Sequence, residues 1–147
     1  YVDLAAWLVR NGANVHAVDH EGRTALFAAA VANQPNVVDY LIREAGANAD
    51  VANAAGRHVF WATCALEFLD VAKVLLDAAA SRGLKRVDLN AKDPCGLTAL
   101  GFAKRMKHDD TLAFLKSRGA LDIAQGQVKR ISRDLEIREL DAILASS

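Results

Sequence analysis

The residues of this chain with reactive side chains are few and scattered. They are His16, His20, His58 and His108, Cys64 and Cys95, and carboxylates such as Glu67, Asp109 and Asp110. Imidazoles and thiolates hold zinc when three or four converge, which a sequence announces as His-x-x-x-His or Cys-x-x-Cys. Cys-x-x-Cys does not occur, and His16 and His20, though four residues apart, fall in a connector and make no ligand set. Adjacent Asp109 and Asp110, and an isolated Glu67, suit solvent-facing positions near helix starts better than a general acid and base aimed at one substrate. No Gly-x-x-x-x-Gly-Lys phosphate loop and no Gly-x-Ser-x-Gly nucleophile turn is present. The chemistry-bearing types thus predict no catalytic residue, no metal and no cofactor in this stretch.

What the chain does carry is a recurring word. Gly22-Arg23-Thr24-Ala25-Leu26, Gly56-Arg57-His58-Val59-Phe60 and Gly96-Leu97-Thr98-Ala99-Leu100 place a helix start two residues after a glycine and a large apolar residue four after it. The glycines lie 34 and then 40 residues apart, close to the period of about 33 residues that marks helical solenoids. An alanine-rich segment follows each word, as in Ala28-Ala29-Ala30, and small residues there let two helices approach closely. A second apolar stripe comes next: Val37, Val38, Leu41 and Ile42; Val71, Ala72, Leu75 and Leu76; then Leu112 and Leu115. Spacing of one, four and five residues is helical, not the alternation of a strand. Gly12, Gly46 and Gly119 fall just past such stripes, where a left-handed residue closes a helix. Each unit reads as turn, helix, tight turn, helix, loop.

In this order the chain resembles the ankyrin-repeat family. Asp19 to Ala30 matches the family's D-x-x-G-x-T-P-L-H-x-A-A with alanine for proline and phenylalanine for histidine, and Asp93 to Leu100 matches its opening again. Gly12 to Asp19 and Asp88 to Asp93 are similar to its G-A-D-V-N-A-x-D connector. The resemblance covers residues 1 to about 121. It implies an all-α solenoid of stacked helix-turn-helix units with β-turn and loop connectors. The boundaries expected are a C-terminal half repeat at 1–18, repeats at 19–52, 53–92 and 93–121, and a tail at 122–147. In that tail Ile137, Leu140, Ile143 and Leu144 recur at helical spacing behind a Ser132 cap, which predicts a C-terminal helix capping the stack or an arm docking on another subunit.

The middle repeat departs most. His58 and Val59 replace the usual Thr-Pro, and Asn53 replaces the leading aspartate. An imidazole caps a helix less readily than a threonine hydroxyl, so this repeat is expected to be the softest. Its second helix runs into a long connector, with Ala78 to Ala80 prolonging the helix and Gly83 ending it. The resemblance also places His108 in a Gly-His turn, its ring hydrogen-bonded to backbone. Phe27 and Trp61 stand at the family's histidine position and are read as core; Trp7, Tyr40, Val74 and Phe114 are read as inter-repeat packing.

What the resemblance implies for function is a protein-binding concave face lined by the turn tips and the inner ends of the first helices. The positions carried over in the first full repeat are His20, Glu21, Arg23, Val31 and Ala32, all but Ala32 taken as partner-binding residues. Arg57 and Leu66 follow in the second, and Leu97, Arg105 and Met106 in the third. Val31, Leu66 and Met106 would form an apolar file beside arginines, the chemistry of a binding hot spot. Two other readings stay open: a subunit built permanently into a larger assembly, and a substrate-recruiting stretch of a longer enzyme.

Composition bounds the partners. The chain has 147 residues, 52% hydrophobic and 24% charged, with formal net charge zero. Balanced charge disfavours a nucleic-acid or anionic-lipid partner, and the one basic cluster, Lys129, Arg130 and Arg133, lies beside Asp134 and Glu136. No apolar run approaches the 18 or so residues of a membrane span. Cys64 and Cys95 occupy different places in the repeat, so no disulfide is expected and a reducing compartment is inferred. Tyr1 to Gly12 reads as the second helix of a repeat whose first helix is absent, leaving an open apolar face. From this the chain is expected to be part of a longer polypeptide.

Overall fold

The computed structural model describes residues 1–83 and 87–120. Seven helices are found among them: α1 (Val2–Arg10), α2 (Ala25–Val31), α3 (Pro35–Arg43), α4 (Val59–Ala65), α5 (Leu69–Ser81), α6 (Ala99–Met106) and α7 (Asp109–Ser117). Three pairs form hairpins, α2 with α3, α4 with α5 and α6 with α7. The first helices of the pairs stack in one layer, α2 on α4 on α6, while α1, α3 and α5 stack in the other. That is the helix-turn-helix solenoid the period implies, with a single continuous core running through it. The tail helix and the basic cluster predicted beyond residue 120 lie outside the described residues.

Local sequence explains the starts of α2 and α6. Thr24 Oγ1 accepts the amide of Phe27 at 3.3 Å and Thr98 Oγ1 that of Gly101 at 3.1 Å, satisfying N–H groups the helix leaves orphaned. His58, in the same extended conformation, makes no such cap. Its Nδ1 lies 3.2 Å from Asp50 Oδ1 instead, which ties the helix start to the preceding connector. α5 does run to Ser81, and Gly83 closes it at φ +61°.

The tight turns inside the hairpins hold a surprise. Asn33, Glu67 and Lys107 all adopt left-handed backbone, at φ 54°, 60° and 59°. They are spaced 34 and 40 residues apart, like the turn glycines. The turn therefore demands the left-handed conformation wherever it occurs, and this chain meets the demand without glycine.

The predicted role of His108 needs correction. Its ring makes no backbone hydrogen bond: Nδ1 is buried without a partner, Nε2 stands 3.7 Å from Glu67 Oε2, and the ring meets Phe102 edge-on. Trp7 is corrected too. It is 60% exposed, because nothing among the described residues covers that side of α1. Trp61 and Phe27 are core, each 1% exposed. Trp61 sits edge-on to Phe102 at 5.1 Å and donates its Nε1 hydrogen to the Leu97 carbonyl at 3.1 Å, so it fastens the second repeat to the third.

Candidate functional site

Ahead of each hairpin the chain projects a finger, and the three fingers are built alike. In each, one Asx side chain organises the loop. Asp19 Oδ1 accepts the amides of Glu21 and Arg23, both at 2.9 Å. Asp93 Oδ1 accepts those of Cys95 and Leu97 at 3.0 and 2.7 Å. Asn53 does the same for Arg57 at 3.0 Å, so the replaced aspartate costs the finger no acceptor. Single antiparallel bridges, Ala52 to His58 and Lys92 to Thr98, close the second and third fingers.

Neighbouring fingers touch. The Ala54 amide donates to the Glu21 carbonyl at 2.9 Å. This closeness is why position 22 is glycine: at φ +71°, a Cβ there would lie 2.6 Å from the Ala54 nitrogen. Charge reinforces the first finger. Arg23 reaches Asp19 at 2.7 Å and Glu21 at 3.2 Å. Hydrogen bonds from the Arg23 side chain and amide hold the Asp19 carboxyl down at about 2, below the ordinary 3.8.

Register shows which residues the fingers and the ends of α2, α4 and α6 offer. Positions equivalent by the 34- and 40-residue offsets form rows: His20, Ala54 and Pro94; Glu21, Ala55 and Cys95; Arg23, Arg57 and Leu97; Ala32, Leu66 and Met106. His20 and Glu21 are exposed at the first tip, and the next two tips are uncharged, with Ala54, Ala55 and Pro94 exposed and Cys95 half-buried. Arg57 is half-buried beside its finger. Leu66 and Met106 are half-buried at the ends of α4 and α6, and Arg105 is exposed next to Met106.

Three of the predicted residues stand differently. Val31 is only 2% exposed. It is one residue out of register with Leu66 and Met106, and one residue rotates the side chain about 100° round a helix of 3.6 residues per turn, here into the core. The true member of that row is the exposed Ala32, at the end of α2. Leu97 is 1% exposed and belongs to the core, although its row-mates are arginines. Arg23 is largely committed to its own finger, with its side chain 13% exposed. The resemblance already carries Ala32 onto the binding face, and the offsets alone place it in this row.

Chemistry is sparse on this face and elsewhere. Among the described residues, no group of three or more His, Cys, Asp or Glu side chains is placed to hold a metal ion. No helix among them is long and apolar enough to cross a membrane. Neither cysteine is in a disulfide among the described residues, and burial pushes the Cys64 thiol up to about 12.

Comparison with known proteins agrees with this architecture. The sequence pattern of ankyrin repeats in three copies matches residues 1–86, which takes in α1 to α5. The chain is also 34% identical over 120 residues to the transient receptor potential cation channel subfamily A member 1 of Drosophila melanogaster. The alignment covers 80% of this chain and 10% of that protein, so the chain spans about a tenth of the relative's length. Fingers, hairpin pairs and the matched pattern together assign the chain to the ankyrin-repeat family.

Proposed function

We infer that this stretch is a protein-interaction module with no reaction of its own, holding a protein partner along its concave face. Ankyrin repeats in general bind other proteins, and the finger face here has the make-up such binding needs. The observation that carries the reading is the row Ala32, Leu66 and Met106, which stays accessible while the adjacent Val31 and Ala65 are buried. Half-buried apolar side chains already ordered by the stack lose little entropy on binding, and arginines nearby add directional contacts. Arg57, Leu66, Arg105 and Met106 are assigned the central contacts, with His20, Glu21 and Ala32 at the first repeat. Arg23 shapes the first finger, while Val31 and Leu97 act from the core.

Capture by immobilised chain, read by quantitative mass spectrometry, tests this. A protein enriched by the parent should be lost from the Arg57→Ala, Leu66→Ala double variant, since hot-spot truncation costs about 2 kcal/mol or more, some thirtyfold in affinity. Lys73→Ala, on the exposed side of α5, should leave capture intact. Equal capture by parent and double variant would refute the assignment.

A further inference from the structure

We propose that Ser81 is a phosphorylation site, and that a phosphoryl group on its oxygen is held by Arg43 across the seam between α3 and α5. Nothing in this rests on the concave face or its partner. Hydroxyls suited to such chemistry are few. Thr63, Thr98 and Thr111 are buried, and Thr24 caps α2. Of the serines and threonines among the described residues, that leaves Ser81 and Ser117, both exposed.

These two form an internal comparison, because each ends a helix and opens the word Ser-Arg-Gly. Ser81-Arg82-Gly83 closes α5 and Ser117-Arg118-Gly119 closes α7, both glycines at positive φ. Each hydroxyl donates to the carbonyl three residues back, Ser81 to Ala78 at 2.9 Å and Ser117 to Phe114 at 2.6 Å. What reaches them from the preceding hairpin differs. Arg43 Nη1 donates to Ser81 Oγ at 2.5 Å, across 38 residues of chain. Among the described residues Ser117 receives no such donor. The cause is length. α5 has 13 residues where α3 and α7 have 9, and the added turn carries Ser81 past Asp77, the residue in register with Arg43 and Ser117.

The arginine is already aimed. Asp39 Oδ1 holds Arg43 Nε at 2.6 Å, which leaves Nη1 turned to Ser81. Arg82 brings a second guanidinium to the seam, its Nη1 donating to the Arg43 carbonyl at 2.6 Å and the Ile42 carbonyl at 3.3 Å. A phosphate carries about two negative charges and three acceptor oxygens, so it would give Arg43 an ionic acceptor in place of a neutral one. Two features oppose it: the negative end of α5, and Asp77 one turn back, a carboxylate that Arg118 offsets at 3.2 Å. The helix end costs about two- to fivefold in the folding equilibrium. Hydrogen bonds to a charged group return about tenfold or more, so the arginine wins.

In the transfer, Ser81 Oγ attacks the γ-phosphorus of a nucleoside triphosphate held by a separate kinase. The bond to the β-phosphate oxygen breaks, the diphosphate leaves, and the hydroxyl proton passes to the kinase's base. Opening of the last turn of α5 presents the hydroxyl, a local event at a helix end.

The test encodes phosphoserine in place of Ser81 or Ser117, each in the parent and in Arg43→Gln, and unfolds every chain in urea. Comparing the four backgrounds separates the Arg43 contact from the helix-end penalty. Arg43→Gln should cut the stabilisation by a phosphate on Ser81 about fivefold or more, and leave the effect of one on Ser117 unchanged. In the parent, alkaline phosphatase should also strip Ser81 more slowly than Ser117. Separately, the unmodified chain is incubated with magnesium ATP and a panel of arginine-directed serine kinases, and mass spectrometry should find phosphate on Ser81. A phosphate on Ser81 that couples to Arg43 no more than one on Ser117 would overturn the proposal. So would a panel that leaves Ser81 unmodified.

Discussion

Replacing Glu67 or Lys107 with glycine should stabilise this protein, although each change removes a side chain. Both residues sit at φ near +60°, where an L-residue meets its following carbonyl at a cost of about 1–2 kcal/mol. Glycine removes that strain but enlarges the unfolded ensemble, returning about 0.5–1 kcal/mol. The net gain is about 0.5–1 kcal/mol per site. End-of-helix charge then ranks the sites. Glu67 follows the C-terminus of α4, where a negative charge opposes the helix dipole, so removing it adds a few tenths of a kcal/mol. Its contact with His108, at 3.7 Å and with the carboxylate half exposed, is worth little against this. Lys107 closes α6 with a favourable positive charge, whose loss trims the gain. Asn33 already suits the left-handed region, so Asn33→Gly should change little. The expected order of stabilisation is Glu67→Gly, then Lys107→Gly, then Asn33→Gly. It would be read by urea unfolding and as a rise of about 2–4 °C in Tm for each kcal/mol. Alanine at the same positions is the discriminating control, since it removes the charge and keeps the strain. If Glu67→Ala stabilised as much as Glu67→Gly, strain would not be the cause and the reasoning would fail.

Further expectations concern the contacts between repeats. Gly22→Ala should cost about 2–4 kcal/mol, because positive φ and the collision with Ala54 act together. Gly12→Ala, at φ +88° with nothing within 4 Å of its Cβ, should cost about 1–2 kcal/mol. Equal losses in denaturant titrations would show that the fingers do not press on each other. Trp61→Phe removes the bond to the Leu97 carbonyl and leaves a small void against Phe102. Unfolding should ease by about 1.5–3 kcal/mol, and a loss below half a kcal/mol would deny Trp61 its bridging role. Asp19→Asn should keep the first finger, since Asn53 serves the second, but lose the ionic hold on Arg23. The folded pKa of Asp19 is depressed, so its contribution is present above about pH 4 and fades as pH falls towards 2. The parent's advantage over the variant at pH 6 should therefore vanish near pH 2, and an advantage that persisted there would refute the assignment.

Sequence by itself determined the repeat, the helical stripes, the threonine caps at 24 and 98, and the glycine at each finger. These are local demands: a cap needs a hydroxyl, a left-handed turn favours glycine, and a helix buries residues spaced by three and four. For the same reason the offsets of 34 and 40 already located Ala32, although the valine beside it looked the better anchor. Stacking alone decided which members of a row face solvent. Leu97 is buried where its row-mates Arg23 and Arg57 keep partial exposure at their fingers, and its carbonyl answers the Trp61 indole of the preceding repeat. Trp7 is exposed where its counterpart Phe114 is buried, because what covers a helix in a solenoid is its neighbour in space. His108 likewise found Glu67 across the stack, 41 residues away, a partner no local word specifies. Periodicity says where a side chain points, and only the adjoining repeat says what it meets there.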